Sequence, residues 1–108
     1  MAFDRLKFID QFKAEASEHI LKLNHGLLNL EKDLFNKAVL EELMRHAHTL
    51  KGAATMIGYS NVASVAHKIE DAFEESIKDE LKLEPRHIDF IFKCLDAMKF
   101  EQCLIFGE

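Results

Sequence analysis

Apolar residues recur at intervals of three and four along the first third of the chain, which is the spacing of a one-sided helical stripe. These positions are Ile9, Phe12, Ala16, Ile20, Leu23, Leu27, Leu30 and Leu34. We therefore predict a first helix from about residue 4 to residue 33. Asp4 is suited to cap its start, and Asn36 suits the link that follows.

The same spacing continues in a second segment, from about residue 37 to residue 57. Its apolar positions are Leu40, Leu43, Met44, Ala47, Leu50, Ala54 and Ile57. Gly58 is well placed to end this helix in the left-handed conformation. Ser60 or Asn61 then caps a third helix, which we predict to run to about residue 80. The stripe of that helix consists of Val62, Val65, Ala66, Ile69, Phe73 and Ile77.

A fourth helix begins at Glu84-Pro85, since proline is favoured in the first turn of a helix. Its inward positions are Ile88, Ile91, Phe92, Leu95 and Met98. The apolar tail Leu104-Ile105-Phe106 leaves its end open. No segment shows sustained strand-like alternation. Short links between long amphipathic helices indicate one all-α domain over residues 1–108, an up-down antiparallel four-helix bundle, with a fifth helix possible beyond the chain end.

Composition narrows the functional class. The chain has 108 residues, 31% of them charged, and a net charge of −5, which disfavours nucleic-acid binding. We expect no signal peptide and no membrane insertion, because no apolar run has the required length. Cys94 and Cys103 match no metal or redox spacing, so we interpret them as helix-packing residues of a reducing, cytoplasmic compartment.

The most informative residue is His48, which has Lys51 three positions and Gly52 four positions after it. Residues at these spacings share one side of a helix. A glycine inside a helix costs about 1 kcal/mol relative to alanine, so its presence requires a reason. Access is one such reason, because a position without a side chain lets another protein reach the imidazole.

Helical geometry places this group near solvent. At about 100° per residue, His48 lies roughly 120° from the centre of the apolar stripe, with Thr55 on the same outer or flanking side. If the second and third helices are antiparallel across a turn near residues 59 and 60, His48 is level with the region of Glu70, and Lys51 with that of His67. His48, Lys51, His67 and Glu70 could therefore form one polar patch.

This patch suits nucleophilic chemistry. A neutral imidazole attacks through the nitrogen that lacks a proton, and a carboxylate such as Glu70 can fix the tautomer by accepting a hydrogen bond from the other nitrogen. Lys51 could offset the charge of an incoming phosphoryl group. Gly52 would clear the path of approach.

The run from Ala47 to Ala54, followed by Met56-Ile57-Gly58-Tyr59 and by Ala66-His67-Lys68-Ile69-Glu70-Asp71, resembles the histidine-phosphotransfer (HPt) family. It is similar in particular to the N-terminal phosphotransfer domain of CheA-type chemotaxis histidine kinases. The resemblance implies that the bundle is a kinase substrate and phosphocarrier, not a complete enzyme. His48 would be the phosphoacceptor, Glu70 would orient its imidazole, and Lys51 and His67 would accompany it.

The same resemblance implies two kinds of partner. An ATP-dependent histidine kinase catalytic domain would phosphorylate His48, and an aspartate on a response-regulator receiver domain would then accept the phosphoryl group. ATP and magnesium would belong to the kinase domain, and this domain would hold no cofactor of its own. The chain would be either a part of a larger kinase or a stand-alone phosphorelay carrier.

The sequence also admits three other interpretations. Six histidines invite a metal site, but His46 and His48 point apart on a helix, and the Glu-x-x-His motif of di-iron bundles is absent. A plain helical interaction module would make His48 incidental. The dimeric helical hairpin of sensor kinases commonly has an acidic residue directly after its histidine, where this chain has Thr49. His19, His25 and His87 are interpreted as surface or flanking residues, and His46 as a contact to the first or third helix.

Overall fold

The computed structural model describes the backbone of residues 5–106 and the side chains of residues 7–99. It contains four α-helices: α1 (Arg5–Lys32), α2 (Lys37–Ile57), α3 (Ser60–Ile77) and α4 (Pro85–Phe106). No strand occurs among the described residues. The predicted all-α class is therefore confirmed, while the predicted cap at Asp4 lies outside the described residues.

The helices form a bundle because each buries one apolar stripe against its neighbours. Helix α1 packs against α2 and α4, and α3 packs against α2 and α4. Links at residues 33–36, 58–59 and 78–84 join successive helices. The core takes side chains from every helix, including Leu23, Leu43, Leu50, Phe73 and Leu95, and these are the positions that the apolar periodicity selects. None of the described helices is both long and apolar enough to cross a membrane.

Helix ends decide where α2 and α3 lie relative to each other. Gly58 ends α2 in the predicted left-handed conformation with φ of 80°, and its N–H donates to the carbonyls of Ala54 and Thr55. Asn36 caps the start of α2, since its side-chain oxygen accepts a hydrogen bond from the Val39 N–H at 3.2 Å. The predicted cap of α3 is wrong by one or two residues, because Tyr59 takes the cap position and Ser60 is already helical.

Helix α3 also ends earlier than the predicted residue 80. It ends at Ile77, and the chain reverses at Asp79, a non-glycine residue with φ of 61°. The N–H groups of Glu80 and Leu81 then donate to the carbonyl of Glu75. Aspartate tolerates the left-handed region better than most residues, because its short polar side chain can bond locally. The end was missed because no glycine marks it.

Gly26 allows α1 and α2 to approach closely. A Cβ atom at this half-buried position would collide with the side chain of Leu43, which is fully buried in the core. Leu43 is packed in the core, so relieving this collision requires its buried side chain to shift, which close-packed cores resist. Gly26 therefore has a packing reason, whereas a Cβ at Gly52 would meet nothing within 4 Å.

The two glycines make a matched pair of substitutions with opposite expected signs. Gly26→Ala is expected to destabilise the fold by about 1–3 kcal/mol, the usual cost of overpacking a core. Gly52→Ala is expected to stabilise it by about 0.5–1 kcal/mol, because alanine loses less chain entropy in a helix. Urea unfolding of both variants measures these differences. A destabilised Gly52→Ala variant would contradict the assignment of Gly52 to an open surface.

Candidate functional site

His48 lies on the solvent side of α2, tilted toward α3. Its side chain is 64% exposed, and its Nδ1 atom is 2.5 Å from Oε2 of Glu70. The contact joins residues that are 22 positions apart in the chain, across the tight turn at Gly58. The structure thus leaves one edge of the imidazole in solvent and holds the other edge against a carboxylate.

Glu70 is placed by the packing of α3. The residue before it, Ile69, and Phe73 are both buried in the core, so Glu70 lies at the edge of the buried stripe and its side chain is only 14% exposed. Both of its oxygens are used: Oε2 contacts His48, and Oε1 accepts a hydrogen bond from the Lys51 Nζ at 2.7 Å. The carboxylate is therefore held at both ends.

The charge state of Glu70 follows from these contacts. Burial alone would raise the pKa of the Glu70 carboxyl, but the hydrogen bonds from Lys51 and His48 outweigh it and lower the pKa below its ordinary value. An ionised carboxylate can only accept hydrogen bonds. The Nδ1 atom of neutral His48 must then carry the proton, which leaves the lone pair on the exposed Nε2 atom.

Lys51 was expected to offset the charge of an incoming phosphoryl group, but its ammonium contacts Glu70. Its ammonium donates to Glu70, and its side chain is only 28% exposed. In this geometry Lys51 anchors the carboxylate that faces His48. The residue belongs to the same cluster as predicted, but its contact is with the orienting acid.

His67 lies on α3, three residues before Glu70, but it does not contact His48. Its Nε2 atom lies 3.5 Å from Oδ2 of Asp71, one turn further along α3, and its ring is 58% exposed. Among the described side chains, the cluster at the imidazole consists of His48, Glu70 and Lys51. His67 borders it.

The predicted access positions are both open. Gly52 is exposed, with empty space where a side chain would lie. Thr55 is exposed as well, and its hydroxyl donates to the carbonyl of Lys51 at 2.8 Å. No described residue lies close enough to require a glycine at position 52, so the access role predicted for Gly52 stays a prediction.

An open groove of about 590 Å³ lies beside His48, on the side of the α2 N-terminus. Its lining includes His48 and Glu70 and adds Arg45 and Lys78. Sequence reasoning did not select Arg45. The signal was available, because Arg45 precedes His48 by three residues and therefore shares its face of the helix.

A second histidine cluster lies on the opposite edge of α2. The Nδ1 atoms of His19 on α1 and His46 on α2 are 3.0 Å apart, and Nε2 of His46 lies 3.7 Å from Oε1 of Glu42. His46 thus contacts the first helix, one of the two partners considered for it. His19 is half-buried in this contact. Within the described residues, no group of three or more His, Cys, Asp and Glu side chains is placed to hold a metal ion.

This pair should make the stability of the fold depend on pH. Burial, followed by the positive charge of a protonated His46, lowers the pKa of His19 below its ordinary 6.5. Between the two values the unfolded chain binds more protons than the folded chain, so stability is complete above pH 6.5 and falls as the pH falls. We expect a lower urea midpoint at pH 5 than at pH 7.5, and a weaker dependence in His19→Gln.

The exposed His25, on the same helix, provides the matched control for this measurement. His25→Gln should keep the wild-type pH dependence. Equal pH dependence in wild-type and His19→Gln would contradict the predicted contribution of the pair.

The Hpt domain family model matches residues 7–101. The chain is 40% identical to the chemotaxis protein CheA of Listeria monocytogenes over 84% of its length, and 35% identical to that of Halobacterium salinarum over 90% of its length. It spans only about 15% and 14% of those relatives' own lengths.

Structural similarity agrees with the sequence matches. The CheA phosphotransferase domain from Thermotoga maritima superposes with a TM-score of 0.89 at 28% identity, covering 97% of this chain and 99% of that one. The resemblance inferred from the residues around His48 and Glu70 is confirmed at the level of family and fold. Matched along nearly all of its described length, the chain belongs to the Hpt domain family.

Proposed function

We propose that this chain is the phosphoacceptor domain of a chemotaxis-type two-component system and that His48 carries the phosphoryl group. The observation that supports this most directly is that the imidazole of His48 is bound to a carboxylate at Nδ1 and is otherwise largely exposed to solvent. An ionised Glu70 accepts the Nδ1–H at one edge of the ring, and the other edge, with the Nε2 lone pair, faces solvent. A surface histidine without such a partner would divide its population between two tautomers.

The proposed first step is attack by Nε2 of His48 on the γ-phosphorus of ATP. The Nε2–P bond forms as the bond from phosphorus to the bridging oxygen of ADP breaks, and ADP leaves with that electron pair. The ring keeps its Nδ1 proton and gains a positive charge. The Glu70 carboxylate, held by Lys51, lies against that charge and stabilises it.

The second step reverses the chemistry on another acceptor. A carboxylate oxygen of an aspartate in a receiver domain attacks the phosphorus, and the electron pair of the Nε2–P bond returns to the ring. Neutral His48 is regenerated with Nδ1 still protonated. The absence of a side chain at Gly52 leaves the approach to the ring open for both partners.

Partners and setting follow from the relatives, which are named as chemotaxis CheA proteins. The donor would be a histidine kinase domain that binds ATP and magnesium, and the acceptor a response-regulator receiver domain. The phosphoprotein would work in the cytoplasm. Because the relatives are several times longer than this chain, we favour action within a larger kinase over a stand-alone carrier.

The test uses the purified chain, a CheA-type kinase domain and ATP labelled on the γ-phosphate. The expected product is a label that acid removes and base preserves, as for an N–P bond, and that moves to a receiver domain added later. A base-labile label, or one that the receiver cannot remove, would contradict the proposed function.

A further inference from the structure

A phosphoryl group on Nε2 would bring about two negative charges to the surface of α2. Lys51, three residues after His48, already binds Glu70 at 2.7 Å. Lys78, on the far side of the groove, is paired with Glu74 at 3.2 Å. The cations expected to neutralise a phosphoryl group are therefore largely engaged by carboxylates.

Arg45 is the exception. It lines the same groove as His48 and Glu70 and is exposed to solvent. In the described part of the chain, the backbone carbonyl of Arg45 accepts a hydrogen bond from the Thr49 hydroxyl at 3.0 Å, and its guanidinium forms no ion pair. Its charge is available for a ligand.

Helix geometry brings that charge to the correct side of His48. Arg45 precedes His48 by three residues, so its Cα lies about 4.5 Å further toward the α2 N-terminus on the same face. Gly52 lies one turn on the other side of His48 and presents no side chain. The surface around the imidazole is thus asymmetric, with an open side at Gly52 and a long cationic side chain at Arg45.

Two acidic side chains near Arg45 could pair with its guanidinium, but a phosphoryl group would bind it more strongly. Glu41 lies one turn before it and also lines the groove, and Glu74 is already paired with Lys78. A phosphoryl group offers three oxygens and more charge than one carboxylate. Guanidinium binds such groups in a bidentate manner, with two N–H donors on two oxygens.

We propose that Arg45 binds the phosphoryl oxygens of phosphorylated His48, while Lys51 acts on the other edge of the ring through Glu70. This inference rests on the proposed function, since it requires His48 to carry the group. Arg45 contacts the transferred group itself, and its positive charge opposes the loss of the phosphoryl group to water.

Phosphoramidate tests this without a kinase. Attack by Nε2 on its phosphorus forms the N–P bond as the P–N bond to the amino group breaks, and ammonia leaves. We would follow the His48 signal by ³¹P nuclear magnetic resonance, identified as the signal that His48→Gln lacks. In Arg45→Gln the signal should decay roughly fivefold faster, the scale of one partly exposed charged contact. The phosphoryl group should also titrate at higher pH, with Arg45→Lys intermediate.

Lys93→Gln is the matched control, because it removes one positive charge from an exposed position on α4, outside the groove, and leaves the Lys78–Glu74 pair intact. It should decay and titrate as wild-type does. Equal decay and titration in wild-type and Arg45→Gln would overturn the assignment of Arg45 alone. A wild-type chain with no His48 signal, and no label from the kinase, would instead contradict the proposed function.

Discussion

His48→Gln is expected to accept no phosphoryl group from a CheA-type kinase and ATP, under conditions that label the wild-type chain fully. Glutamine keeps a polar side chain of similar reach but has no nucleophilic nitrogen, since the amide lone pair is delocalised. Because the imidazole is 64% exposed, the substitution should leave the bundle folded. The measurement is the bound radioactivity after removal of ATP, together with the circular dichroism of the variant.

The control for this result is another exposed histidine. His25 lies on α1, away from the cluster, and His25→Gln should be labelled as wild-type is. His67→Gln is informative as well, because its ring pairs with Asp71 and does not contact His48. Label that persists at the wild-type level in His48→Gln would place the phosphoacceptor elsewhere.

Glu70→Ala should slow phosphorylation by about 10- to 100-fold, the loss typical when a carboxylate that orients a metal-bound histidine is removed. Without the carboxylate, the Nδ1 proton has no acceptor and the positive charge of the phosphorylated ring has no neighbour. Lys51 would then bring an unpaired ammonium toward that charge. The initial rate of labelling at saturating kinase, followed over time, measures this loss.

Two further variants test whether the loss of rate comes from the missing hydrogen-bond acceptor, from the missing negative charge, or from an unspecific effect of changing an acidic residue on α3. Glu70→Gln keeps an oxygen that can accept the Nδ1–H but removes the charge, so it should recover part of the rate. Glu75→Ala, at an exposed position on another face of α3, should behave as wild-type. A wild-type rate in both Glu70 variants would remove Glu70 from the mechanism.

The lowered pKa of Glu70 also predicts how this contact responds to acid. A carboxyl group with a depressed folded-state pKa stabilises the fold fully above its ordinary value and loses that contribution as the pH falls through the folded value. Its contact with His48 should therefore persist through the neutral range.

Substitutions at Gly52 should have opposite effects on the stability of α2 and on access to His48. Alanine there should stabilise α2, because no neighbouring atom opposes a Cβ. A larger residue such as glutamate at the same position should fold normally yet obstruct the approach to His48. If both results are obtained, this position favours access over helix stability, which natural proteins commonly accept at functional sites.

Much of the fold could be predicted because its signals are local. Apolar residues at three- and four-residue spacing defined the four helices and the core, and Gly58 marked the end of α2. Local signals failed where the chain uses a residue outside its usual role. Asp79 takes a left-handed conformation normally given to glycine, and Tyr59 takes a cap position for which Ser60 and Asn61 are the better candidates by type.

The sequence by itself determined the helices, the exposed position of His48 and its family, because these depend on periodicity and on residues close together in the chain. Only the tertiary structure decided which side chains touch. Equal helical rise placed Glu70 and His67 at the level of His48, but side-chain direction and packing selected Glu70, drew Lys51 to it, and left His67 with Asp71. The collision that Gly26 avoids and the contact of His19 with His46 likewise depend on how closely two helices pack, which no local pattern records.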